Sequence, residues 1–260
     1  MKMTSYEPGQ PCWTDLGSPD PAASADFYSG LFGWEIMEGP PEAGGYRMCL
    51  FRGAPVAGLG PQMMPEVRPY WTTYVCVTDA AAVAEQARAA GAEILAEPLP
   101  VFDFGSMAVF RDPTGAPCSI WQPGGHIGSG LFGEPGSICW NELTTRQAKE
   151  AIPFYETVFG WKAVEQPMGE WTYTEWHSGD RAVAGMMAMD DTWPAEIPSH
   201  WMVYFAVEDV DASAARVTEL GGTVSVPPSD IPPGRFSVVT DPHGAVFSVI
   251  MLTDPPGGSS

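Results

Sequence analysis

The chain is written twice. Residues 11–16 (PCWTDL) return as 138–143 (ICWNEL), and residues 27–34 (FYSGLFGW) return as 154–161 (FYETVFGW), both at a spacing of 127. PVAG at 55–58 returns as AVAG at the same spacing, YWTTYVCVTD (70–79) matches HWMVYFAVED (200–209), and DPTGAPCSI (112–120) matches DPHGAVFSV (241–249). The order never changes, so one fold of roughly 125 residues is used in tandem. Residues 122–137 (QPGGHIGSGLFGEPGS) carry the Gly, Pro and Ser of a connector. The reading is a first domain over 1–124, a linker over 125–137 and a second domain over 138–260.

Composition narrows what such a pair can meet. A chain of 260 residues, 45% hydrophobic, can bury two cores. Its formal charge of -20 repels phosphate backbones and anionic lipid, so neither nucleic acid nor a membrane is expected as partner. The opening MKMTSYEPGQ has no apolar core of a signal peptide, and the longest apolar run, AVFSVIML at 245–252, is too short to span a bilayer. A cytoplasmic protein is expected. Cys12, Cys49, Cys76, Cys118 and Cys139 each sit in an apolar run without a CxxC pair, which suits reduced packing thiols.

Each copy divides again. In the first quarter a strand at CWTDL leads to DPAASADFYSGLFGW, where Asp20 caps a helix, Pro21 fits its first turn and Gly33 stops it. Strands are expected at 34–37, 46–51 and 55–59, punctuated by Gly and Pro. The second quarter repeats the order: a strand at 72–77, an Ala-rich helix ending at Gly91, then strands near 93–96, 106–110 and 116–121. The result is βαβββ four times, in modules at about 10–60, 70–122, 138–188 and 199–253, an α+β fold with each pair of modules forming one cupped mixed sheet. Pro153 lies inside the third helix and is expected to remove a backbone bond and kink it.

A βαβββ unit whose helix ends in FYxxxFGW and whose last strand is announced by DPxG resembles the vicinal oxygen chelate superfamily of glyoxalases, bleomycin-resistance proteins and extradiol dioxygenases. The two complete copies, each opening on W-x-x-L, look most like its tandem actinobacterial members, among them proteins of polyketide antibiotic pathways. The resemblance covers nearly the whole chain. It implies the fold strongly and the function weakly, because this scaffold hosts metal isomerases, oxygenases and plain drug-binding proteins. It also implies where a metal would sit, on inward residues of the first and last strand of each module. Those positions hold Trp13, Gly58, Thr72 and Ser119 in the first domain, and Trp140, Gly185, Met202 and Ser248 in the second. None is a strong ligand, so a divalent metal is disfavoured and no cofactor is expected.

Strand alternation puts Asp15 on the face of Trp13, and Glu142 on the face of Trp140, so both copies aim an acid and an indole at the same hollow. Such a carboxylate can act as general acid or base or orient a ligand, and it can equally be solvated at the mouth. His200 shares the inward face of Met202, while Tyr173, Glu175 and His177 alternate on one strand and with Glu142 could form an irregular metal or acid/base cluster; a surface His pair is the alternative. The first copy has Met48, Leu50 and Tyr70 at the positions of Glu175, His177 and His200, so the two hollows should differ. His126 in the linker and His243 in a turn are expected in solvent, and Asp112 and Asp241 are expected to be turn residues. Trp13, Trp71, Trp121, Trp140, Trp201, Tyr74 and Tyr204 border the cups and favour a flat, apolar or aromatic ligand.

Two functions from different classes follow. One is a metal-independent protein of natural-product biosynthesis or resistance that binds a small hydrophobic or aromatic molecule, with Trp13, Thr72, Tyr74, Ser119, Trp121, Trp140, Tyr173, Glu175, His177, Met202, Tyr204 and Ser248 as lining. The other is a lyase, isomerase, oxygenase or hydroxylase-type enzyme using Asp15, Glu142 or His200 as acid or base, with or without a divalent metal; a glyoxalase-type metal enzyme is a third. A monomer or homodimer suits a chain that already holds four modules.

Overall fold

A computed structural model describes residues 1–168 and 171–253. The part of the second domain expected over 254–260 lies outside the described residues. The first unit runs β1 (Pro11–Ser18), α1 (Pro21–Phe32), β2 (Glu35–Glu38), β3 (Arg47–Phe51), β4 (Ala54–Pro61), then β5 (Trp71–Cys76), α2 (Ala80–Ala89), β6 (Glu93–Val101), β7 (Gly105–Arg111) and β8 (Pro117–Pro123). The second runs β9 (Ile138–Thr145), α3 (Ala148–Phe159), β10 (Lys162–Met168), β11 (Trp171–Ser178), β12 (Arg181–Ala188), then β13 (His200–Ala206), α4 (Val210–Glu219), β14 (Thr223–Ile231), β15 (Gly234–Thr240) and β16 (Val246–Leu252). Each unit is one eight-stranded sheet, ordered β2-β3-β4-β1-β5-β8-β7-β6 and β10-β11-β12-β9-β13-β16-β15-β14. Within each module the first and last strands are parallel, and the two modules of a sheet join where β1 meets β5, or β9 meets β13, antiparallel. This is the expected α+β architecture of tandem cupped sheets.

Local chemistry accounts for the element ends. The Asp20 carboxylate accepts from the Ala23 backbone N–H, Pro21 opens α1, and Gly33 closes it in the left-handed region at φ 71°. The helix α3 spans Pro153, which faces solvent; as expected, that residue removes one backbone bond, and the carbonyl it frees is on exposed Lys149, where water can take the place of the lost donor. One expectation needs correction. The strand expected at 93–96 extends to Val101 as β6, despite Pro98 and Pro100, because it is the edge of its sheet.

The two sheets pack crosswise. One core joins α1 and β4 of the first module to β13, β15, β16 and α4 of the fourth, with Tyr28, Phe32, Trp71, Phe205 and Phe247 at its centre; another joins the second module to the third around Phe110, Phe154, Tyr155, Trp161 and Trp176. Each such aromatic contributes on the order of 1.5–3 kcal/mol by leaving water. Polar bonds fix the register. The Tyr28 hydroxyl donates to Asp241 Oδ2 at 3.0 Å and accepts from Trp71 Nε1 at 3.0 Å, while the Tyr155 hydroxyl donates to Asp112 Oδ2 at 2.7 Å and accepts from Trp201 Nε1 at 2.9 Å. The FY pair of each copy is thus completed by the DPxG turn of the other. Asp112 and Asp241 also accept backbone N–H groups of their own turns, the structural role expected of them. Trp71 and Trp201 therefore do not border a cup: Trp71 stands opposite Leu16, on the seam face, and is 2% exposed. All five cysteines are buried and free.

Candidate functional site

The faces turned away from the seam are the cups. On β1 the alternation that sends Leu16 into the seam sends Trp13 and Asp15 the other way, and pairing sets Tyr74 beside Trp13, Thr72 beside Asp15, and Ser119 beside Tyr74. Asp15 is clamped there. Tyr74 donates to its Oδ2 at 2.8 Å and Tyr46 donates to the same oxygen at 3.3 Å, while Trp13 Nε1 donates to the Tyr46 hydroxyl at 3.2 Å. The second cup repeats the relay. Trp140 Nε1 donates to the Tyr173 hydroxyl at 2.8 Å, Tyr204 donates to Glu142 Oε1 at 3.0 Å, and Tyr173 also hydrogen-bonds the Glu142 carboxylate. Tyr173 is among the expected cup residues, whereas Tyr46, at the repeat spacing of 127 from it, is not.

Glycine makes the clamp possible. Gly58 is the β4 neighbour of Asp15 and Gly185 the β12 neighbour of Glu142. A Cβ added at Gly58 would lie 1.7 Å from the Tyr46 hydroxyl, and one at Gly185 would lie 1.7 Å from that of Tyr173. Each tyrosine hydroxyl fills the volume a side chain would need.

Burial sets the protonation. It pushes the Asp15 carboxyl up to about 6, against the opposing pull of hydrogen bonds from Tyr74, Thr72 and Tyr46. Glu142, 7% exposed, is raised for the same reason against Tyr173 and Tyr204. Burial and the facing carboxylates lift Tyr46, Tyr74, Tyr173 and Tyr204 well above the usual phenol range, so all four stay protonated donors. Ser119 Oγ and Ser248 Oγ are buried beside the Tyr74 and Tyr204 hydroxyls, with no well-formed hydrogen bond of their own.

A divalent metal does not fit this donor set. Each clamp offers one carboxylate among an indole, phenols and an alcohol or thioether, and a tyrosine hydroxyl takes up the glycine position where a ligand would stand. Among the described residues no group of three His, Cys, Asp or Glu converges.

The remaining candidates divide. Trp13, Asp15, Thr72, Tyr74, Ser119 and Trp121 share the first cup; Trp140, Glu142, Tyr173, Met202, Tyr204 and Ser248 share the second. Glu175 and His177 pair with each other instead, Glu175 Oε2 lying 2.9 Å from His177 Nε2 and accepting from Gln166 at 3.2 Å. His200 lies opposite Thr144 with Nδ1 at 2.8 Å from the Pro198 carbonyl, and burial lowers its pKa. Among the described residues no hydrogen bond joins these three to Glu142. His126, expected in solvent, is drawn in by two aromatic edges, Trp13 at 4.6 Å and Trp121 at 5.8 Å between ring centroids. Its Nε2 is buried and unpartnered, and burial lowers its pKa to about 4.

Two cupped βαβββ pairs define the class of scaffold, and comparison with known proteins agrees. The glyoxalase-like domain family matches residues 13–121, and the glyoxalase/bleomycin resistance protein/dioxygenase superfamily matches residues 137–249. The chain belongs to that superfamily. It is 41% identical over 267 residues to the anthracycline biosynthesis protein DnrV of Streptomyces peucetius, covering 97% of this chain and 96% of that one. It is 40% identical to CFP32 of Mycobacterium bovis, covering 96% and 97%. Among solved structures, the Mn(II)-bound glyoxalase of Novosphingobium aromaticivorans superposes with a TM-score of 0.67 at 18% identity, covering 95% of this chain and 83% of that one. The 2,3-dioxygenase LapB of Pseudomonas sp. KL28 does so at 0.67 and 14%, covering 97% and 96%. At those identities the structures share the fold alone.

Proposed function

We propose that the chain binds a small, flat, hydrophobic or aromatic molecule in its cups without a divalent metal, in natural-product biosynthesis or resistance. The observation that carries this reading is the clamp, present in both cups: a carboxyl held between two phenols, backed by an indole, at the place where the fold's metal would stand. Protonated, the carboxyl donates to a ligand carbonyl; ionised, it accepts from a ligand hydroxyl. The aromatic walls supply area for a planar ring. The similarity to a protein named for anthracycline biosynthesis supports a fused-ring aromatic as ligand class.

A second reading is enzymatic. An Asp15 carboxyl that titrates at about 6 can exchange a proton near neutral pH, which favours a general acid or base in a lyase, isomerase or hydroxylase-type reaction.

The test is titration of 1,8-dihydroxyanthraquinone into the chain after dialysis against EDTA, followed by tryptophan fluorescence. Saturable quenching unchanged by EDTA is expected, weakened in a double Asp15→Asn, Glu142→Gln variant. Binding that appears only after Mn(II) is restored, or no saturable binding at all, sinks the proposal. Conversion of the probe by the wild type but not by the double variant would establish the enzymatic reading.

A further inference from the structure

The repeat allows the units to be compared beyond the clamp. In the first unit, the strand ends at Cys12, Trp13 and residues 54–56 are covered by the linker. Ser129 N donates to Cys12 O at 2.7 Å, Gly130 N donates to Pro55 O at 2.7 Å, and the His126 ring stands edge-on to Trp13. The fit is tight: a Cβ on Gly130 would lie 3.2 Å from that of Ala54. In the second unit the same positions are Cys139, Trp140, Arg181, Ala182 and Val183, and there they line an open pocket of about 110 Å³. Tyr6 and Phe132 also line it.

Arg181 stands where the first unit has Ala54. It is exposed, and its guanidinium alone of the nine makes no hydrogen bond or ion pair among the described residues. In a chain with 32 acidic residues against 12 basic ones, an arginine left without an acid is available to an anion from outside. Its planar fork matches a carboxylate in particular. The neighbouring wall is aromatic and aliphatic, and a pocket of this size takes a single ring or short chain. Trp140 belongs to both places, since its indole lines the pocket and donates to Tyr173 of the Glu142 clamp.

We propose that this pocket is the seat of a small aromatic or short-chain carboxylate, its anion paired with Arg181 and its apolar body against Trp140. The assignment rests on the reading that the second cup binds a small molecule, and it makes the two units unequal: the first seat is filled by the chain's own linker, the second takes ligand. It also adds a negative group to the ligand class.

The test uses benzoate and its neutral counterpart benzyl alcohol, each titrated into the full chain by calorimetry with tryptophan fluorescence in parallel. Benzoate is expected to bind at least tenfold more tightly than benzyl alcohol, and Arg181→Gln, at an exposed position, is expected to erase that difference. Trp140→Phe should remove the benzoate-dependent fluorescence change. Equal binding of benzoate by wild type and Arg181→Gln, or no benzoate binding, overturns the seat. So does binding confined to a chain ending at Thr253, which would make the chain's own C-terminal residues the occupant. Retained anthraquinone binding in any of these cases shows that the seat failed and the cup did not.

Discussion

Replacing Asp15 by Asn tests the electrostatics of the clamp directly. The Asn carbonyl still accepts from Tyr46 and Tyr74, but the group can no longer ionise. Burial raises the Asp15 carboxyl from 3.8 to about 6. Because the folded pKa lies above the unfolded one, the site's contribution is whole below about pH 3.8 and is lost as pH rises through 6. Once ionisation is complete the loss approaches roughly 3 kcal/mol, an upper value because the group is only partly shielded from solvent. Between pH 5 and pH 8 the wild type loses about 1.4 kcal/mol of this at Asp15 alone. The variant loses none of it. For a chain of this size each kcal/mol moves Tm by about 2–4 °C, so the advantage of Asp15→Asn over wild type should be about 3–6 °C larger at pH 8 than at pH 5. Calorimetric scans of both proteins at both pH values measure it, and other carboxylates cancel because they titrate in each. An advantage that is the same at the two pH values, or that shrinks as pH rises, refutes the reasoning.

Two further changes probe the seam and the clamp. Tyr155→Phe leaves Asp112 Oδ2 and Trp201 Nε1 buried without their partner, a loss of roughly 3 kcal/mol; urea unfolding should show it, and Asp112→Asn in the same background should recover part of it. Gly185→Ala puts a methyl into the space of the Tyr173 hydroxyl, so it should weaken anthraquinone binding at least tenfold, while Ala at exposed Gly53 should leave binding unchanged; equal affinities for the two variants would remove the clamp from the site.

The sequence carried the architecture because repetition at one spacing is visible without any partner, and because caps such as Asp20 and stops such as Gly33 are local. It carried the Trp13–Asp15 and Trp140–Glu142 pairs because alternation along one strand is also local. What crosses strands was harder. Tyr46 reaches Asp15 from the residue just before β3, over a glycine on β4, a contact set by an absent side chain, and only comparison with Tyr173 could have disclosed it. Trp71 and Trp201 adjoin Thr72 and Met202 on their strands, so the alternation that turns Thr72 and Met202 into the cups already sends the two indoles to the seam, against their expected place on the cup walls. His126 sits in a stretch whose Gly and Pro content reads as solvent-exposed linker, whereas its ring is drawn in by two tryptophan edges. The strand β6 was cut short by two prolines that only its edge position makes tolerable.

The reciprocal bonds of Tyr28 with Asp241 and Tyr155 with Asp112 make the chain a dimer fused into one polypeptide. Neither half can satisfy its own helix tyrosine, so neither can abandon the other, and any change to an FY or DPxG segment is felt by both. The cups bear no such mutual obligation. One copy could therefore wrap the linker over its cup and keep Met48 and Ala54, while the other took Glu175 and Arg181, without disturbing the joint that holds them. Divergence after duplication was channelled outward, leaving the shared interior as the record of common origin.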